Sequence, residues 1–342
     1  MSNENQLKQI AINLARKGKG ILAADESNPT CKKRFDSIGV ESSFESRNEY
    51  RDMLFTSNKI EDYISGVILF DETLKQSTTC EEKIPFTKLL NSKGIIPGIK
   101  VDQGVIDLEG FPNEKATNGL DGLDKRLAEY YELGARFAKW RAVITIGDNI
   151  PSEACIYANA HSLARYASKC QQAGLVPIVE PEVLMDGTHT IETCNTVTNK
   201  VLKIVFEQLH MYNVLLEGII LKPNMIISAI DCPIQADIEK VADLTYACLK
   251  ENVPENVPGI AFLSGGQSGD LATFHLNKMN EKYNDMPWHL TFSYGRALQY
   301  DALNSWKGKK ENRKAAQESF LLRAKNNSLA TFGSYVEMLE TR

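Results

Sequence analysis

Long apolar runs are missing from this 342-residue chain. None approaches the ~20 residues that cross a bilayer as a helix, so no helical membrane span is expected. The opening MSNENQLKQI lacks the basic-then-apolar layout of a signal peptide, and a secreted route is not expected either. Paired metal ligands are also lacking. The five histidines are isolated, with no H-x-x-x-H or H-E-x-x-H spacing, so no metal site is expected. The seven cysteines, Cys31, Cys80, Cys155, Cys170, Cys194, Cys232 and Cys248, are odd in number and scattered, without a C-x-x-C. They fit free thiols in a reducing, cytoplasmic compartment better than a disulfide frame or a structural zinc site. No G-x-G-x-x-G turn follows the first candidate strand, which removes the commonest dinucleotide-binding form of an open sheet. Excess positive charge is absent as well. A net charge of −5 argues against a surface that coats nucleic acid. An anionic substrate must then be drawn in by a local basic cluster.

What is present is a soluble globular composition, 43% hydrophobic and 24% charged, able to bury a full core. A short apolar run ending in a polar or charged residue recurs along the chain. The runs cover residues 20–25, 66–71, 95–100, 137–141, 176–180, 218–222, 259–264 and 290–293. Amphipathic stretches lie between them, among them 120–133, 152–172, 191–210 and 234–249. Near-continuous apolar strands separated by helices mean a parallel sheet covered on its faces. Eight such units predict an α/β fold, a closed (β/α)8 TIM barrel, with a doubly wound open sheet as the alternative. Extra N- and C-terminal helices, 6–17 and 312–324, are expected to pack outside the ring. The whole chain, 1–342, is expected to form one domain, with the last ~12 residues a tail.

In such a barrel the active site is built at the C-terminal strand ends. Those ends carry Asp25, Asp71, Lys100, Lys139 with Arg141, Glu180 with Glu182, Lys222, Ser264 and Ser293. Side chains alternate along a strand, so Lys139 and Arg141 share a face, as do Glu180 and Glu182. Charges this costly to desolvate are kept when paired or when reactive. One reading is an ion-pair network of the lysines with Glu180 and Glu182. The other is a lysine that forms an imine. Its amine attacks a carbonyl only when uncharged, against an ordinary pKa of about 10.4. A second cation about 4 Å away, at an effective dielectric near 20, supplies about 4 kcal/mol toward that. Lys139 and Lys222 fall on strands 4 and 6, and alternate strands fill one interior layer. They are therefore expected to face each other with Glu180 of strand 5 between them. Lys222 follows the more apolar run and is the better candidate amine. Spacing alone leaves the choice among Lys100, Lys139 and Lys222 open.

Two further clusters flank these charges. FLSGGQS, ending at Ser268, and FSYGRA, ending at Ala297, place small residues at turns into helices after strands 7 and 8, where barrels usually bind phosphate. Arg296 can add a bidentate contact. DESNPT, residues 25–30, is followed by Lys32, Lys33 and Arg34. Asp25 there is either a helix cap or a group that takes a proton from a substrate hydroxyl. Ser27, Thr30, Lys33 and Lys100 are candidates for a second phosphate across the mouth.

Taken in order, GILAADES, GVILFDETL, GIKVDQG, TNGLDGL, FAKWR, ARYASKCQQAGLVPIVEPE, LLEGIILKPNM, FLSGGQS, FSYGRALQ and GKKENRKAAQE resemble class I fructose-bisphosphate aldolase over nearly the whole chain. The resemblance implies reversible cleavage of fructose 1,6-bisphosphate to dihydroxyacetone phosphate and glyceraldehyde 3-phosphate, in glycolysis and gluconeogenesis, without metal or other cofactor. It implies Lys222 as the Schiff-base lysine and Glu180 as the acid/base for dehydration. Lys139 is implied as the assisting cation, Asp25 as acceptor of the C4 hydroxyl proton, and Glu182 as a supporting carboxylate. Ser264, Gly265, Gly295 and Arg296 match the C1-phosphate site. Ser27, Thr30, Lys100 and Arg141 match positions around the rest of the sugar and the C6 phosphate, Thr30 standing where many relatives have serine. A cytoplasmic homotetramer is implied, with cytoskeletal partners, no nucleic acid and no membrane. The ending departs from the pattern, because relatives commonly finish in a longer tail closed by tyrosine. Here the last tyrosine is Tyr335, and the role is not carried over to it. The alternatives are another imine-forming phosphosugar aldolase, or a cytoskeletal binding protein that keeps the fold. The second expects losses at the strand ends, and none of the matched catalytic positions is lost.

Overall fold

The inward-facing stripes of the strands begin apolar and end charged, and that gradient organises the molecule. In the computed structural model, which describes residues 3–336, eight parallel strands close into a barrel in which each strand pairs with its sequence neighbours and the last pairs with the first. They are β1 Gly20–Ala24, β2 Ile64–Leu69, β3 Ile96–Lys100, β4 Phe137–Ile144, β5 Val176–Val183, β6 Ile220–Leu221, β7 Gly259–Phe262 and β8 His289–Tyr294. All eight expected strands are present, with the helices wrapped outside. β6 is shorter than its run implies, since Leu216–Gly218 forms a 3₁₀ turn instead.

On the inner face, Ile21, Ala23, Ile68, Phe137, Val176, Ile178, Ile220 and Ala261 form one apolar cluster. The alternate residues Leu22, Ala24, Ala138, Trp140, Val179 and Leu221 belong to a second, larger core between strands and helices. Continuing the inner stripe by twos leads from Ile21 and Ala23 to Asp25, from Phe137 to Lys139 and Arg141, and from Val176 and Ile178 to Glu180 and Glu182. The surrounding helices start where the chain supplies a capping oxygen. Ser152, Thr190, Asp237 and Ser268 each accept a backbone N–H at the start of the helix that follows, satisfying one of its orphan donors.

The N-terminal helix, Asn3–Leu14, is not outside the ring as the sequence reading placed it. Its Leu7, Ala11 and Leu14 belong to the same cluster as the inward strand residues, so it seats under the barrel and closes its N-terminal end. Glycines make room for it. A Cβ on Gly66 would lie 2.6 Å from Leu14 Cδ2, and one on Gly259 would lie 2.1 Å from Ala15 Cβ, closer than any real contact. The C-terminal helix, Arg313–Ala330, does pack outside, Phe320 and Ala324 joining the outer core. Tyr335, near the end of the described residues, is buried with its ring 5.0 Å from that of Phe274. The rest of the expected tail, 337–342, lies outside the described residues. A small antiparallel hairpin, Val105–Asp107 with Lys115–Thr117, was not expected. Thr117 Oγ1 donates to the Arg141 carbonyl at 2.8 Å, which fastens the hairpin beside the mouth. Among the described residues, no helix is long and apolar enough to cross a membrane, and all seven cysteines are free.

Candidate active site

At the C-terminal mouth the strand ends enclose a cleft of ≈ 1160 Å³. Its walls include all of Asp25, Ser27, Thr30, Lys100, Lys139, Arg141, Glu180, Glu182, Lys222, Ser264, Gly265, Gly295 and Arg296. Nine lysines and arginines against seven carboxylates line it, so a chain of net charge −5 still presents a locally positive cavity to an anion.

Strand register brings the central charges together. Arg141 pairs with Glu180 in the β4–β5 ladder and Lys100 with Lys139 in the β3–β4 ladder. The Lys222 N–H donates to the Val179 carbonyl at 2.8 Å, which lays Lys222 alongside Glu180. Glu180 then bridges two ammonium groups. Oε1 lies 2.9 Å from Lys222 Nζ, and Oε2 lies 3.3 Å from Lys139 Nζ. Lys139, Glu180 and Lys222 keep only 4%, 3% and 4% of their surface exposed. The second contact is an ion pair without a hydrogen bond. Oε2 is buried and accepts none among the described residues, which leaves it open to a substrate proton.

The three lysines differ in their partners, which spacing did not reveal. Lys139 is held by Asp25 Oδ2 at 2.9 Å, by Glu180, and by Asp102 Oδ2 at 3.9 Å. Burial alone would lower its pKa, but Asp25, Glu180 and Asp102 outweigh it and push it well above the usual lysine range. Lys100 is tied to Asp102, donating to its backbone carbonyl at 2.8 Å and to its carboxylate. Among the described residues Lys222 has the one carboxylate partner, Glu180, and shares it. Burial also works against the carboxylates, and is again overcome. The Lys139 and Lys222 ammonium groups hold Asp25 far below the ordinary carboxylate range, and those two with Arg141 hold Glu180 down. Asp25 does not cap the following helix. That position belongs to Ser27, whose Oγ lies 3.1 Å from Thr30 Oγ1. Glu182 accepts from Arg141 Nε, not from a lysine.

Two groups escaped the sequence reading. Asp102 follows Lys100 by two residues, so strand alternation alone puts them on one side, and that signal was available. Glu26 was not legible. Its side chain is buried between Arg34 and Arg51 and accepts from Gln299 Nε2 at 3.0 Å, and of these partners Arg51 and Gln299 come from helices distant in sequence. Opposite the lysines, the β7 loop turns through Gly265 at φ 56° and Gly266 at φ 83°. A Cβ on Gly266 would lie 2.6 Å from Met185 Sδ, so the backbone favours glycine there and a side chain would also have to displace Met185. Arg296 Nη2 donates to the Gly266 carbonyl at 2.9 Å. Arg296 also opens helix Arg296–Trp306 after Gly295, joining the two turns at a helix N-terminus, an arrangement suited to an anion. Ser293 Oγ, on the cleft wall, is buried without a partner among the described residues. Among the described residues no group of three or more His, Cys, Asp or Glu is placed to hold a metal ion.

A family model described as "Fructose-bisphosphate aldolase class-I" matches residues 6–342. The chain belongs to the class-I fructose-bisphosphate aldolase family. It is 54% identical over 331 residues to a Xanthomonas campestris pv. campestris protein named "Probable fructose-bisphosphate aldolase class 1", covering 96% of this chain and 98% of the relative. It is 54% identical over 331 residues to "Fructose-bisphosphate aldolase 5, cytosolic" of Arabidopsis thaliana, covering 97% and 92%. A solved structure of fructose-bisphosphate aldolase from Plasmodium falciparum, in complex with TRAP and a small-molecule inhibitor, superposes with a TM-score of 0.95 at 50% identity, covering 98% of this chain and 96% of that one. The enzyme class is that of a carbon–carbon lyase, and class I is marked by a lysine Schiff base.

Proposed function

We propose that Lys222 is the lysine through which this class I aldolase cleaves fructose 1,6-bisphosphate, and that the observation carrying the assignment is Glu180 bridging Lys222 and Lys139. Glu180 Oε1 takes the proton that Lys222 must shed, while Lys139, facing three carboxylates, keeps its own. The Lys222 amine adds to the C2 carbonyl, and the hydroxyl of the carbinolamine leaves as water after Glu180 returns a proton to it, with the C2–O bond broken and the C2–N bond kept. The resulting iminium draws electrons from C3. Asp25 accepts the C4 hydroxyl proton, the C3–C4 bond breaks, and its electron pair passes into the iminium as an enamine. Glyceraldehyde 3-phosphate departs. Protonation of C3 and hydrolysis of the imine then release dihydroxyacetone phosphate and restore Lys222. Lys139 stabilises the developing oxygen charges, and Glu182 fixes Arg141 beside them.

Ser264, Gly265, Gly295 and Arg296 hold the C1 phosphate in this assignment, through backbone N–H groups and the guanidinium. Ser27, Thr30, Lys100 and Arg141 receive the far end of the sugar and the C6 phosphate. No metal or other cofactor enters. Borohydride reduction in the presence of dihydroxyacetone phosphate, with the adduct located by mass spectrometry, tests the assignment. Label on Lys222 supports it, and label elsewhere or none rejects it.

The chain is taken as one domain over 1–342, working as a cytoplasmic homotetramer. The relative named cytosolic supports the location, and light scattering of the purified enzyme tests the assembly. The Plasmodium falciparum neighbour was solved with TRAP bound, which supports a protein partner, and cytoskeletal partners are the kind the resemblance implies. No affinity for nucleic acid or membranes is expected at net charge −5.

A further inference from the structure

Helix Gly269–Lys282, which follows the β7 loop, carries a histidine that the chemistry above does not use. His275 is 3% exposed, and its Nδ1 lies 2.6 Å from Gln267 Oε1. Gln267 is buried too, and its Nε2 donates to the Ser264 carbonyl at 2.9 Å. The Gln267 backbone N–H reaches the same oxygen at 3.0 Å. An amide that donates through Nε2 accepts through Oε1, so His275 must be the donor and the neutral ring carries its proton on Nδ1. Burial lowers its pKa to about 4, which keeps it a neutral donor at physiological pH. Its Nε2 is buried and has no partner among the described residues.

We propose that His275 is a positioning residue for the phosphate loop, acting through Gln267. This rests on the C1-phosphate role proposed above for Ser264 and Gly265. The Ser264 carbonyl, held by two donors, sets the plane of the peptide that enters the Gly265–Gly266 turn, and so the direction of the N–H groups offered to the anion. Without the His275 proton, Gln267 Oε1 is left buried and unpaired. The amide then turns to find a donor, and the Ser264 carbonyl is left with the Gln267 backbone N–H alone. The ordinary alternative is a core histidine that only fills space, and it predicts a loss of stability with no change in phosphate affinity.

The test compares His275→Leu, His275→Asn and Gln267→Met in the full-length enzyme. Three quantities are read: steady-state kinetics on fructose 1,6-bisphosphate, inhibition by inorganic phosphate, and borohydride labelling with dihydroxyacetone phosphate. His275→Leu and Gln267→Met should raise KM and the phosphate inhibition constant together by roughly 3- to 30-fold, while kcat stays within about 3-fold. His275→Asn places an amide N–H where Nδ1 stood and should recover most of both. KM and phosphate inhibition within about twofold of wild type in His275→Leu and Gln267→Met, or a fall in kcat with KM unchanged, would overturn the proposal. If His275→Leu does not fold, Gln267→Met and His275→Asn carry the same comparison. Failure of the wild type to label Lys222 rejects the imine assignment instead, and the phosphate inhibition series still decides the role of His275.

Discussion

Lys139 Nζ sits 2.9 Å from Asp25 Oδ2, joining the fourth strand to the end of the first across the mouth of the barrel. Lys139 is buried, the Asp25 side chain is 13% exposed, and each helps to keep the other charged. Replacing Asp25 with Asn should lower stability by about 3 kcal/mol at neutral pH, the low end for breaking a buried pair, since Glu180 and Asp102 still face Lys139. The folded pKa of Asp25 is depressed below an unfolded value near 3.9. Its stabilisation is therefore complete above about pH 3.9 and is lost as pH falls through the folded pKa. Urea midpoints of wild type and Asp25→Asn should differ by a constant amount near neutrality and converge below about pH 3.9. A gap independent of pH would contradict the pairing.

Lys222→Met removes the amine and keeps an apolar stem of similar length. Turnover of fructose 1,6-bisphosphate should fall by roughly 10⁴-fold or more, and the borohydride adduct should vanish. The circular dichroism spectrum should be unchanged. Normal turnover by this variant would refute the imine assignment.

Arg296→Ala deletes a charge at the proposed C1-phosphate site and leaves the lysines untouched. A charge-assisted contact contributes about 1.5–3 kcal/mol, so KM should rise roughly 10- to 100-fold with a smaller change in kcat. Parallel assays with inorganic phosphate as inhibitor should show a matching loss. A fall in kcat alone would place Arg296 in the chemistry instead of in binding.

Leu14→Ala addresses the opposite end of the barrel. Leu14 is fully buried among the inward strand residues, and its truncation should cost about 2–5 kcal/mol. Because the strand-end charges lie beyond the apolar cluster, kcat and KM at 25 °C should remain close to wild type. Denaturation midpoints and steady-state assays on one preparation check both halves of the expectation.

Much of the barrel could be read from apolar runs because a strand buried on both faces has a simple signature, and runs such as 66–71 and 176–180 sit where strands form. The mouth was legible for the same reason, since strand alternation carries an apolar inner stripe directly into Lys139, Glu180 and Lys222. What sequence could not separate was the work of the lysines, because that depends on partners from other strands. Lys139 collects Asp25, Asp102 and Glu180, while among the described residues Lys222 shares only Glu180. The placement of Asn3–Leu14 was misread because an amphipathic stripe says that a helix face is covered, not what covers it. The hairpin around Val105 escaped because its first strand, Val105–Asp107, is exposed and leaves no apolar alternation.

The helix that closes the barrel floor has a consequence for how the chain is made. Its docking site includes Ile178, Ile220 and Ala261, so this segment has no finished site until strands far downstream have been synthesised. Leu7, Ala11 and Leu14 must wait unburied through that interval, and sealing of the floor is a late, long-range event in folding.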